Sequence, residues 1–183
     1  MDLLLGLALL DGLAYAALVF MVAVGLTLVF GVMRVLNVAH GSFFAIGGYL
    51  AASIGIFIAA QKLPPALAFA GLVLAAALVG FMLGSLVESL LLARIYAKEQ
   101  VLQLLVTFAL FMILEDVQKL VWGVQPIFAS TPLKLLPNVS VLGVSYTSYQ
   151  VILLPAVALL TVLGLRYFLR HTLAGAVILA ASG

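Results

Sequence analysis

Five long apolar stretches account for most of this chain, and its polar residues gather between them. The first, residues 1–32, is apolar apart from Asp2, Asp11 and Thr27. Others cover residues 43–60, 66–86, 102–122 and 151–168. None shows the apolar–polar alternation of a barrel strand, and each approaches the roughly 20 residues an α-helix needs to cross the bilayer core. Only helices and closed barrels satisfy every backbone group in lipid. The pattern therefore predicts an all-α, polytopic transmembrane helical bundle of about five spans, forming a single transmembrane domain over residues 1–183. The first stretch exceeds one span, so we expect a short interfacial N-terminal piece followed by a span over residues 13–32.

The polar punctuation carries the rest of the reading. Between the first two spans, residues 34–42 bring Arg34, Asn37, His40 and Ser42 together in one short break. Because a membrane protein hides nearly all its polarity, function is sought there first. The second span is rich in small residues, Gly41, Gly47, Gly48 and Gly55 among them, which let helix backbones approach in lipid. Gln61-Lys62-Leu63-Pro64-Pro65 ends it, since proline cannot continue a helix. In the third span Gly80 and Gly84 form a GxxxG pair, with Glu88 one further step of four along the row. That spacing fits a close helix seam closed by a polar anchor, or a flexible small face with Glu88 at the interface. Residues 88–103 turn polar and read as a helical connection outside the membrane.

The fourth span carries Glu115, Asp116, Gln118 and Lys119 in its later half and ends at Trp122, a residue suited to the interfacial belt. Charges inside a span are costly and mark functional sites. Glu115 and Lys119, however, stand i,i+4 and lie within about two turns of the helix end, where side chains snorkel. An intramembrane site and an interfacial ion pair both fit. Residues 123–150, with Pro126, Pro132 and Pro137, form the least helical stretch and read as an extramembrane loop, with strand-like pieces around Gly143. Asn138-Val139-Ser140 matches a glycosylation acceptor, a pattern frequent by chance. Pro155 falls near the first turn of the fifth span.

Composition agrees with the pattern: 67% of the 183 residues are hydrophobic and 8% charged, against about 25% charged in soluble domains. A net charge of +2 without a basic cluster gives no reason to expect nucleic acid. With no cysteine, disulfides and thiol catalysis are excluded. Two histidines, His40 and His171, do not make an ordinary structural metal site. No P-loop, HExxH or GxSxG motif occurs, and the aspartates sit near span ends, so neither catalysis nor a cofactor is expected. Ionisable groups are nearly absent from mid-span positions, which disfavours ion-coupled transport. A transporter of this kind needs an energising partner. Ala14-Tyr15-Ala16 has the small-x-small form of a signal-peptidase site, but no Lys or Arg precedes it, and cleavage is not expected. Five spans place Arg34, Arg94, Lys98, Arg166 and Arg170 on one side, and Lys62, Lys119 and Lys134 on the other. The positive-inside rule then puts the N-terminus and the 123–150 loop outside, and the C-terminus in the cytoplasm.

Asn37-Val38-Ala39-His40-Gly41, followed by Gly47-Gly48-Tyr49, resembles the N-x-A-H-G and G-x-Y block of branched-chain amino acid ABC permeases. The stretch from Glu88 through Arg94 to Thr107, Leu142-Gly143-Val144 and Tyr149-Gln150 are similar to later parts of the same family, closest to the type named for the H component of high-affinity leucine transport. The resemblance implies a permease subunit in the bacterial inner membrane, paired with a second permease subunit of the M type. Cytoplasmic ABC ATPases would drive it and a periplasmic amino-acid-binding protein would feed it. Residues 166–175 look like the start of the family's coupling segment, but 176–183 lack the charged continuation; the coupling helix and later spans are expected to be missing, so the resemblance covers only the N-terminal part of a permease. A simple-sugar permease and an inactive membrane fragment are the alternatives. Asn37, Ala39, His40 and Gly41 are expected to form a broken or re-entrant helix beside the path, with Asn37 capping and His40 hydrogen-bonded at a helix end. Gly47, Gly48, Gly80 and Gly84 are expected to pack helices; Glu88, Glu115 and Lys119 are candidate polar anchors.

Overall fold

Five helices long and apolar enough to cross a membrane run through the computed structural model, which describes residues 2–33, 35–128, 133–141, 143–172 and 175. They are α1 (Asp2–Met33), α2 (His40–Ala60), α3 (Leu67–Ile95), α4 (Gln100–Trp122) and α5 (Tyr149–His171). Between α4 and α5 lie a short 3₁₀ turn, Leu133–Leu135, and an antiparallel hairpin of β1 (Asn138–Val141) and β2 (Val144–Thr147). The hairpin supplies the strand-like pieces expected near Gly143, which sits at φ +82° in the left-handed region that favours glycine.

Three boundaries differ from those expected, each for a local reason. No interfacial piece separates from the first span: α1 is one helix of 32 residues, about 48 Å long against a core of about 30 Å. Its first dozen residues are mostly Leu, Ala and Gly without proline, so nothing stops the helix where the membrane does. The third span runs on to Ile95, and the extramembrane connection expected over residues 88–103 shrinks to residues 96–99. Polar side chains at 88–94 mark the end of the hydrocarbon, not the end of the helix. Finally, α5 starts with a π turn, Tyr149–Leu153, just before Pro155. Proline has no N–H for the carbonyl of Val151, and the helix passes that point in wider register.

Other ends follow ordinary stop signals. At the end of α2, Leu63 N–H reaches Ile58 O at 3.0 Å and Lys62 N–H reaches Ala59 O at 3.1 Å, with Lys62 at φ 53°. These are the two bonds of a Schellman closure, here with lysine in the left-handed seat usually given to glycine. Pro64 and Pro65 follow and prevent continuation. Gly123, at φ +82°, ends α4.

The chain divides into two compact units, residues 1–34 with 136–183 and residues 35–135. In the first, α1 and α5 pack parallel. Gln150 Nε2 donates to Asp11 Oδ1 at 3.2 Å, and two to three turns further along Thr161 Oγ1 meets Met21 Sδ at 3.6 Å. Tyr146 of β2 also bonds Asp11; burial foremost, then that carboxylate, pushes its hydroxyl pKa up. Ser148 closes the hairpin, its N–H reaching Pro137 O at 3.2 Å and its hydroxyl donating to the same oxygen. Asp11 is thus the polar pin of this unit.

In the second unit α2 packs against α3 and α4. A close approach to α3 is at Gly71, where an added Cβ would stand 2.6 Å from Ile54 Cγ2. Towards α4, Trp122 stacks on Tyr49 with ring centroids 5.2 Å apart and donates from Nε1 to Ser53 Oγ at 2.8 Å. Ala39, Ile46, Val79 and Leu114 form the core, extended by Phe43, Leu83 and Leu110. Many large apolar side chains face outward instead, Phe81 and Leu120 at 78% and 85% exposure. A water-solvated surface would bury them; a lipid-solvated one need not.

Candidate functional site

In a chain that turns so much hydrocarbon outward, the segment between α1 and α2 buries alternate residues deeply, while Leu36 and Val38 between them are exposed. Asn37 is 4% exposed, Ala39 0% and Ser42 3%. Arg34 lies outside the described residues. From Val35 to Ala39 the backbone is not helical, and irregular backbone at membrane depth persists only when protein satisfies it. It is satisfied. Asn37 Oδ1 accepts the N–H of Ala39 at 3.1 Å, and Asn37 O accepts the N–H of His40 at 3.1 Å. Ala39 O then takes the N–H groups of Ser42 and Phe43, at 3.0 and 3.3 Å, which starts α2. Asn37 therefore serves the helix start through an Asx-type turn rather than as the residue directly before the helix.

A further carbonyl is held from a distance. Thr107 Oγ1, on the middle of α4 and 0% exposed, donates to Leu36 O at 3.0 Å. One turn earlier on the same face, Gln103 Nε2 reaches the carbonyls of Ile95, Tyr96 and Lys98 at 3.2, 3.2 and 2.9 Å. Ile95 is the last residue of α3, and its carbonyl also accepts the N–H of Lys98 at 2.9 Å; Tyr96 and Lys98 belong to the connection that follows. One face of α4 thus presents Gln103 and Thr107, then Leu110 and Leu114 towards the core. Neither Gln103 nor Thr107 stood out as a site residue from sequence. Their i,i+4 spacing in an apolar helix was the available signal. Ser42 Oγ and Gln103 Oε1 are the buried side-chain atoms left without a hydrogen-bond partner among the described residues.

His40 opens α2 half-buried. It lines a groove of about 430 Å³ between α2 and α3, together with Phe43, Gly47, Gly48, Val79 and Gly80. Gly41 lies in the first turn with a helical backbone, and an added Cβ there meets nothing within 4 Å. The same is true of Gly47, Gly48 and Gly80, while at Gly84 the nearest atom is Val79 O at 3.8 Å. Between α2 and α3 a tight contact is seen instead at Gly71. A further reason separates Gly80 from Gly84 and Glu88: α3 passes through π segments at Leu78–Leu83 and Glu88–Leu92, so steps of four no longer stay in one row.

The three polar anchors have partners. Glu88 accepts from the hydroxyl of Tyr96, whose pKa is raised by burial first and by the Glu88 carboxylate second. Lys119 Nζ stands 2.8 Å from Glu115 Oε1 and 3.5 Å from Asp116 Oδ1, on an exposed face of α4.

Taken together, outward-facing apolar helices joined by a largely buried polar break define a polytopic helical membrane protein. The chain belongs to the family described as branched-chain amino acid transport system, permease component, whose model matches residues 8–183. No curated protein and no solved structure matches it.

Proposed function

We propose that this chain is a translocating permease subunit of an ABC importer for branched-chain amino acids. The family match over residues 8–183 carries the reading; the near absence of mid-span ionisable groups supports an ATP-driven rather than an ion-coupled mechanism. On this reading, leucine, isoleucine or valine arrives on a periplasmic binding protein, crosses between this chain and a second permease subunit, and is driven by two cytoplasmic ATPases. The chain sits in the inner membrane with its N-terminus outside and its C-terminus in the cytoplasm.

Asn37, Ala39, His40 and Gly41 act as the fixed broken element beside the path. Two features support this role: the burial of Asn37 and Ala39, and the place of His40 on the groove shared with Gly47, Gly48 and Gly80. The glycines keep that groove open, since each has space where a side chain would stand. A His40→Gln variant in the assembled transporter, with subunit assembly and leucine uptake both measured, tests the assignment. Reduced uptake with intact assembly is expected; unchanged uptake refutes it.

A further inference from the structure

Away from the break, the C-terminal half of α5 and the middle of α1 enclose a cleft of about 340 Å³. Its walls are Phe20 and Val24 from α1 and Val162 and Leu165 from α5, and Arg166 and Arg170 border it. The arginines stand i,i+4 on one helix face, roughly 5–6 Å apart at Cβ. Neither pairs with a carboxylate among the described residues. An apolar slot in a membrane-spanning unit, bordered by two unneutralised guanidinium groups, matches one neighbour always at hand.

We propose that this cleft is a binding site for an anionic phospholipid. One acyl chain lies along Phe20, Val24, Val162 and Leu165, and the phosphodiester is held by Arg166 and Arg170. Guanidinium presents a planar fork of donors that fits phosphate oxygens in pairs, which an ammonium cannot do. Arg166 lies about one and a half turns from the end of α5, so its side chain reaches the headgroup level by extending along the helix. Basic pockets between transmembrane helices are a recognised form of headgroup site. The lipid neutralises the two charges, which no carboxylate among the described residues does, and it fills the cleft between α1 and α5.

Native mass spectrometry of the full chain in detergent tests this, with phosphatidylglycerol and phosphatidylcholine of identical acyl chains as probes. Phosphatidylglycerol should be retained preferentially, and Arg166→Gln and Arg170→Gln should each weaken its retention about fivefold while leaving phosphatidylcholine unchanged. Arg166→Lys should restore part of the loss, and circular dichroism should report the same helix content in every variant. Val162→Phe, which fills the slot and keeps both arginines, should also release the lipid. Millimolar inorganic phosphate should not displace it. Equal retention of the two lipids, indifference to the Gln variants, retention by Val162→Phe, or displacement by free phosphate would each overturn the proposal.

Discussion

Gln103 offers the most direct access to how the second unit is held together. Its amide nitrogen has two hydrogens and faces three carbonyls, Lys98 O at 2.9 Å and Ile95 O and Tyr96 O at 3.2 Å. Two of these bonds can be well made at once. At about 1 kcal/mol each, Gln103→Leu should cost about 2 kcal/mol, less whatever is regained by removing the buried, unpartnered Oε1. Gln103→Glu keeps the shape but turns an acceptor towards three acceptors at a site only 5% exposed. It must protonate or force the end of α3 open, and should cost about 3 kcal/mol or more. The order wild type, Leu, Glu is therefore the prediction, and it is opposite to what conservation of polarity suggests. The chain has one tryptophan, and Trp122 stacks on Tyr49 inside the same unit. Its fluorescence during titration from mild detergent into dodecyl sulfate reads unfolding of that unit. A Glu variant as stable as wild type, or less harmful than Leu, would refute the assignment of the amide as a cap for α3.

Three further outcomes follow from the same packing. Gly71→Ala should destabilise by about 1–3 kcal/mol through overpacking against Ile54, whereas Gly80→Ala should be neutral or slightly stabilising because its Cβ meets nothing within 4 Å. Combining Gly71→Ala with Ile54→Ala should recover much of the loss, and additivity of the two would contradict the contact. Thr107→Val should cost about 1 kcal/mol by freeing Leu36 O, and should speed amide exchange at residues 35–39 before it does so in α2. Asp11→Ala should speed exchange across β1 and β2, which Asp11 holds through Tyr146 and Gln150, while leaving α2 to α4 unchanged; uniform loss of protection would argue against a local pin.

Helix number and character were legible because hydropathy is a sum over about 20 residues and is insensitive to any one of them. Helix ends were less so. Hydropathy reports where hydrocarbon stops, and α1 and α3 continue as helices beyond that level because nothing in residues 2–12 or in residues 88–95 forbids it. The polar break was visible as composition, and so was the helix-starting role of Asn37, whose bonds are local. Its long-range support was not: Thr107 is 71 residues from Leu36, and only the fold brings them together. The pairing of Glu115 with Lys119 depends on helical spacing alone and could be read directly. The π segments in α3, which shift the row on which the GxxxG spacing of Gly80 and Gly84 rests, are not visible in the sequence pattern. Trp122, suited by sequence to an interfacial belt, also has an internal partner in Tyr49 that composition does not disclose.

The central claim is that this family member moves a branched-chain amino acid only as part of an ATP-driven assembly. Its most direct test is uptake of radiolabelled leucine into vesicles from cells that co-express the full chain with a second permease subunit, an ATPase pair and a binding protein. Accumulation is predicted to require ATP and to vanish when this chain is omitted. Leucine accumulation that persists without the chain, or that proceeds with it in the absence of ATP, would contradict the account.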